Sequence, residues 1–197
     1  MNTTEHLVEV YYRQSGCFTA TDIKIVKGNN RQFDLLAFNL QTQKYYHVEI
    51  SVAHGQQWQA SLNDIKKRIR YKFFGSTKNL RPDNPNTDFN KGKSYLDSIK
   101  ATYQKFGLEY DKLIRVWCTW CLTDTNSAID TWKIEIANEF NLKPDNFEIL
   151  LFRDTVFPTL LANIGTAYYD DELLRTLSLI SEYNRQTQNK SSNQSGL

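Results

Sequence analysis

The first third of the chain changes its hydrophobic period once and then holds it. In TTEHLVEVYYRQSG, Leu7, Val10, Tyr11 and Gln14 recur at helical spacing, Thr3 or Thr4 stands at the cap position, and Gly16 closes the segment. FTATDIKIV, FDLLAFN and KYYHVEISVA then read as strands, separated by the turn-forming KGNNRQ and LQTQK. Three strands at such short spacing predict an antiparallel meander. In the third, Val48, Ile50 and Val52 form the core-facing side, and His47, Glu49 and Ser51 share the other.

After Gly55 the helical period returns: Trp58, Leu62, Ile65, Ile69 and Phe73 recur at steps of four and three. Residues 75–94 carry two prolines with many Asn, Asp and Lys, and read as a long loop inserted in the domain. Beyond it come a short helix over 95–106, a buried strand over 112–120 and a helix starting between Asp124 and Ser127. A strand over 146–154 and two C-terminal helical segments follow. From Gln186 the sequence is polar throughout and reads as a disordered tail. The predicted fold is α/β: one domain over 1–185 with a mixed central β-sheet flanked by helices, an αβββαβ core and C-terminal helices.

Composition narrows the class without choosing within it. Hydrophobic residues are 40% and charged residues 23% of 197, which suits a globular domain. No apolar run approaches the roughly 20 residues that span a bilayer, and the N-terminus lacks an apolar leader, so a soluble cytoplasmic protein is expected. Cys118 and Cys121 form a lone CxxC that Cys17 cannot complete as a zinc ribbon, so all three read as packing thiols. The net charge of +2 points to no partner. Its distribution does: residues 66–81 hold seven basic residues and no acid. Lys66, Lys67, Arg68, Arg70, Lys72, Lys78 and Arg81 form a candidate track for a nucleic-acid backbone, with Tyr71, Phe73 and Phe74 interleaved.

Two acids stand on neighbouring predicted strands. Asp34 opens the second and Glu49 lies in the middle of the third, at a spacing that lets a hairpin bring them to one end of the sheet. Two hard oxygen ligands suit Mg²⁺ or Mn²⁺, the backbone carbonyl of Ile50 adding a third, with water and a substrate phosphate completing the octahedron. Carboxylates sharing such an ion stand within about 5–6 Å of each other.

A helix, three strands carrying Asp and then Glu-x-Lys, a helix and a strand is the order of the PD-(D/E)xK nuclease superfamily, and this chain resembles it through Asp34 in QFDLLAF and Glu49 in HVEIS. The resemblance implies a restriction-endonuclease-like fold, Mg²⁺-dependent hydrolysis of phosphodiester bonds in DNA, and possible homodimers. It also implies a glutamate in the first helix, where Glu5 lies eleven residues before Gly16 and Glu9 is a weaker candidate. The chain departs from the pattern at the lysine, which is replaced by Ser51. On the following helix Gln59, Asn63, Lys66 and Arg70 make a polar stripe, from which Lys66 is the expected substitute; Gln57, Lys67 and His54 are weaker ones. Two other readings remain open. One is a catalytically inactive module of the same fold that binds nucleic acid or a protein; the other is an unrelated α/β protein whose acids are surface residues.

Overall fold

A computed structural model describes residues 2–28, 30–53, 59–76, 95–165 and 169–194, with side chains through Thr187. The chain runs α1 (Thr3–Gln14), β1 (Cys17–Lys24), β2 (Gln32–Asn39), β3 (Lys44–Ser51), α2 (Leu62–Phe74), α3 (Leu96–Lys105), β4 (Ile114–Thr119), α4 (Asn126–Phe140), β5 (Phe147–Leu151), α5 (Phe157–Asn163) and α6 (Glu172–Gln194). The five strands lie in sequence order in one sheet. β1, β2 and β3 pair antiparallel, as the meander predicts, and β3–β4 and β4–β5 pair parallel. The mixed α/β architecture read from the sequence is the one observed.

One face of the sheet packs on α1, α5 and α6, through Leu7, Val8 and Val10 against Leu35, Ala37, Val48 and Val116. The other face is covered by α2, α4 and α3. Leu62, Ile65, Ile69, Phe73 and Phe74 of α2 are all buried, each contributing about 1.5–3 kcal/mol relative to exposure. Trp58, expected on the same face, lies outside the described residues.

Several local expectations change. α1 is capped by Asn2 rather than by Thr3 or Thr4: its side chain accepts from the amides of Thr4 and Glu5, and Glu5 returns a bond to the Asn2 amide. An amide oxygen one residue before the first turn is already in place for those N–H groups, leaving both threonines inside the helix. The strand expected over 146–154 stops at Leu151, and residues 152–156 form a wide helical turn in which the Arg153 amide donates to the Trp120 carbonyl. Where a disordered tail is expected from Gln186, α6 continues to Gln194, and residues 195–197 lie outside the described residues. Glu182 pairs with Arg185 and accepts from Gln186, and adding turns to a formed helix is easier than nucleating one. Of the predicted loop 75–94, residues 77–94 lie outside the described set; at its ends the Tyr95 amide donates to the Gly75 carbonyl. The three cysteines are free thiols, Cys118 and Cys121 buried. Among the described residues no helix is long and apolar enough to cross a membrane.

Candidate active site

Strand alternation slips once in the sheet. On β2, Leu36 packs on the α3 side and Leu35 on the α1 side, yet Phe33 is back on the α3 side. β1 matches it, with Ile23 on the α3 side opposite Phe33. Asp34 and Asp22 stand across from each other at the slip, and Asp22 has φ +53°. A non-glycine residue in that region is strained, and such strain gathers at functional sites.

The slip coincides with a parting of two strands. The β2–β3 ladder ends at Leu35 and Val48, after which Glu49, Ile50 and Ser51 pair only with β4. Continued by one pair, the register would set Asp34 opposite Glu49. Instead the Asp34 side chain bridges the gap, Oδ2 accepting from the Ile50 amide at 2.8 Å.

On the polar side of β3, His47 and Glu49 are buried, at 0% and 1% exposed. α2 and α3 cover it. The His47 ring lies 4.1 Å from that of Phe33, edge-on to Phe73 at 4.7 Å, and within 2.6 Å of the Tyr103 hydroxyl through Nδ1. Its Nε2 is 2.8 Å from Glu49 Oε1. Burial and the nearby Arg115 charge hold His47 well below its ordinary value, so the ring is neutral. An ionised Glu49 only accepts, so Nε2–H donates to it and Nδ1 accepts from Tyr103.

The cation of the site comes from α2. Lys72 Nζ lies 2.5 Å from Glu49 Oε2 and 3.5 Å from Asp34 Oδ1. The two carboxylates therefore cannot be further apart than those two distances together, which meets the spacing expected of a shared ion. Burial raises Asp34 to about 6, and repulsion from Glu49 adds to this against the pull of Lys72 and the Ile50 amide. Burial also raises Glu49, while Lys72 pulls the other way. Burial disfavours the Lys72 ammonium, but Glu49 and Asp34 outweigh it and hold the group above its ordinary value. One turn earlier, Arg68 Nη1 donates to Ser51 Oγ at 3.1 Å. Asp34, Glu49, Ile50, Ser51, Arg68 and Lys72 line a cleft of about 330 Å³.

Lys66, the expected substitute for the motif lysine, points elsewhere. It pairs with Glu135 of α4 at 3.1 Å and lines the groove between α2 and α4. Arg70, on the same flank, makes a two-toothed bond to Glu139. The reason is angular. Lys66 and Arg70 follow the buried Ile65 and Ile69 by one residue, whereas Arg68 and Lys72 follow them by three, on the opposite flank of the apolar face. That i+3 relation was the signal available in the sequence.

Glu5 is also not joined to the pair. Both its oxygens accept from Asn2, and α1 packs on the face away from His47 and Glu49. Glu9 accepts from Thr19 Oγ1 at 2.9 Å on that same face. Of the remaining basic residues, Lys67 is exposed; Lys78, Arg81, His54 and Gln57 lie outside the described residues. The basic run is thus divided: two members face α4, two enter the cleft.

Among the described residues no three His, Cys, Asp or Glu side chains form a metal-binding group. Mg²⁺ asks for fewer, one or two carboxylates with water and substrate filling the rest. Glu49 Oε2 is buried, with the Lys72 ammonium 2.5 Å away. An extended residue points its N–H and C=O the same way, so the Ile50 carbonyl turns toward the gap that its amide shares with Asp34. Two carboxylates and one carbonyl fit such an ion, with Lys72 as the cation that now neutralises Glu49 Oε2.

No family model matches the chain, and no curated protein matches it. A similar solved structure is the crystal structure of a protein of unknown function, AF1548, 12% identical, covering 98% of this chain and 96% of that one at a TM-score of 0.42. A likeness at that level carries no argument about activity.

Proposed function

We propose that this chain is a metal-dependent nuclease that hydrolyses phosphodiester bonds in DNA, on the plan of the PD-(D/E)xK superfamily. The observation that carries this reading is the contact of Lys72 with both Glu49 and Asp34. Ser51 alone would favour an inactive module; a lysine delivered to the same two carboxylates from α2 removes that reason.

Asp34, Glu49 and the Ile50 carbonyl would hold Mg²⁺ or Mn²⁺. The ion, when bound, neutralises phosphate charge and makes water a competent nucleophile near neutral pH. The chain's own residues do the rest. His47, fixed by Tyr103, donates to Oε1 and sets the Glu49 carboxylate plane. The Ile50 amide fixes Asp34 in the same way. Lys72, with a flexible stem and 34% exposure, is suited to orient water and to stabilise charge building on the phosphate. Arg68 offers a second cation beside it.

The test is cleavage of plasmid, single-stranded DNA, branched DNA and RNA in Mg²⁺ or Mn²⁺. The reading requires metal-dependent cleavage that is lost in Glu49→Ala and in Asp34→Ala. Cleavage that survives the double substitution would rule the site out.

A further inference from the structure

A second cleft, of about 460 Å³, opens on the far side of Lys72. Ile25, Arg31, Gln32, Asp34, Tyr71 and Lys72 line it, so it shares three residues with the first cleft or its rim. Its cation is Arg31, in the turn that leads into β2. The guanidinium lies 3.9 Å over the ring of Tyr71 and 4.3 Å over that of Tyr95, and its Nη2 donates to the Tyr71 carbonyl at 3.1 Å.

Two features mark Arg31 at the wall of this cleft. Among the described residues it makes no ion pair with a carboxylate, although Arg70, Arg153 and Arg185 all do. Its Nη1 is buried with no hydrogen-bond partner. A buried N–H left without an acceptor costs about 1–3 kcal/mol and marks the place of an absent one. A planar fork held between two aromatic rings is pre-organised for an anion with several oxygens.

We propose that this cleft binds a backbone phosphate of the nucleic acid adjacent to the one attacked, with Arg31 as its cation. This rests on the nuclease reading, which supplies the polyanion. Lys72 stands between the two clefts, so one strand crossing it presents successive phosphates to Arg31 and to the metal ligands. The role assigned to Arg31 is positioning: it fixes the register of the strand and does not touch the reacting atoms.

The experiment measures affinity of the full chain for a fluorescein-labelled DNA duplex across a salt series in EDTA, alongside plasmid cleavage in Mg²⁺. Arg31→Gln removes the charge and keeps a polar side chain; Arg31→Lys keeps the charge; Lys44→Met neutralises an exposed residue at the other end of the sheet. Losing one phosphate contact lowers the slope of log affinity against log salt by about one and weakens binding about tenfold at moderate salt. That is expected of Arg31→Gln, with Arg31→Lys holding the native slope and Lys44→Met unchanged. Unchanged binding in Arg31→Gln, or equal impairment in both Arg31 variants, overturns the proposal while leaving cleavage, and so the nuclease reading, standing. No cleavage by the native chain, with the slope change still present, removes the nuclease reading and keeps the phosphate site. A native chain that binds no DNA removes both.

Discussion

Lys72 Nζ stands 2.5 Å from Glu49 Oε2, so the last turn of α2 delivers an ammonium to β3. Ser51 is itself engaged, as an acceptor for Arg68. Lys72 should therefore dominate activity and Lys66 should not. Lys72→Met is expected to lower kcat by at least about 100-fold, a typical loss for removing one electrostatic group from a hydrolytic site. Lys66→Met should stay within about threefold, since an exposed pair such as Lys66–Glu135 contributes little. Steady-state cleavage in Mg²⁺ compares the two, and equal losses would return the role to Lys66.

The stability of the metal-free chain should depend on pH through Asp34. Its carboxyl is raised to about 6 in the fold, against an ordinary value near 3.9. Between roughly pH 4 and pH 6 the folded chain then holds a proton that the unfolded chain has lost, and stability falls as pH rises through that window. Asp34→Asn should remove this component, on the order of 2 kcal/mol across the window. Urea unfolding of both proteins in EDTA at several pH values measures it; parallel curves would show that Asp34 does not carry the dependence.

Tyr103 should matter to Glu49 at one remove. Tyr103→Phe leaves His47 Nδ1 buried without its donor, an expected loss of about 1–3 kcal/mol. It also frees the imidazole to turn, which loosens the Oε1 contact. Calorimetric Mg²⁺ affinity should weaken with it. A variant that loses stability while binding Mg²⁺ normally would confine Tyr103 to the core.

Gly75 joins the end of α2 to the start of α3. It has φ +66°, and a Cβ there would come within 2.7 Å of the Tyr95 backbone. Gly75→Ala should destabilise by about 1–3 kcal/mol, through the left-handed conformation and the displaced contact together. Thermal unfolding reports it. A larger fractional loss of activity than of folded protein is also expected, because Lys72 sits in the turn that Gly75 caps.

The meander and the parallel β4–β5 unit were legible because alternation and turn residues are local signals, and QFDLLAF and HVEIS carried both acids in the correct strands. The burial of His47 was not legible, since a polar alternating face looks the same whether water or α2 and α3 cover it. Nor was the slip at Asp34. Alternation alone puts Phe33 on the face of Leu35, whereas in the fold it shares the face of Leu36. In the sequence Lys72 is one of seven basic residues in a candidate phosphate track. Its catalytic candidacy depends on which flank of α2 turns toward the β2–β3 gap, and that is set by packing on α4, distant in sequence.

The Ile50 amide donates to a carboxylate where a regular strand would offer a peptide carbonyl. Its proton is therefore a built-in reporter. Protonation of Asp34, or capture of its other oxygen by a cation, changes the acceptor without moving the strand. In a ¹⁵N-labelled sample, one main-chain resonance should track occupancy of the site before any substrate is known.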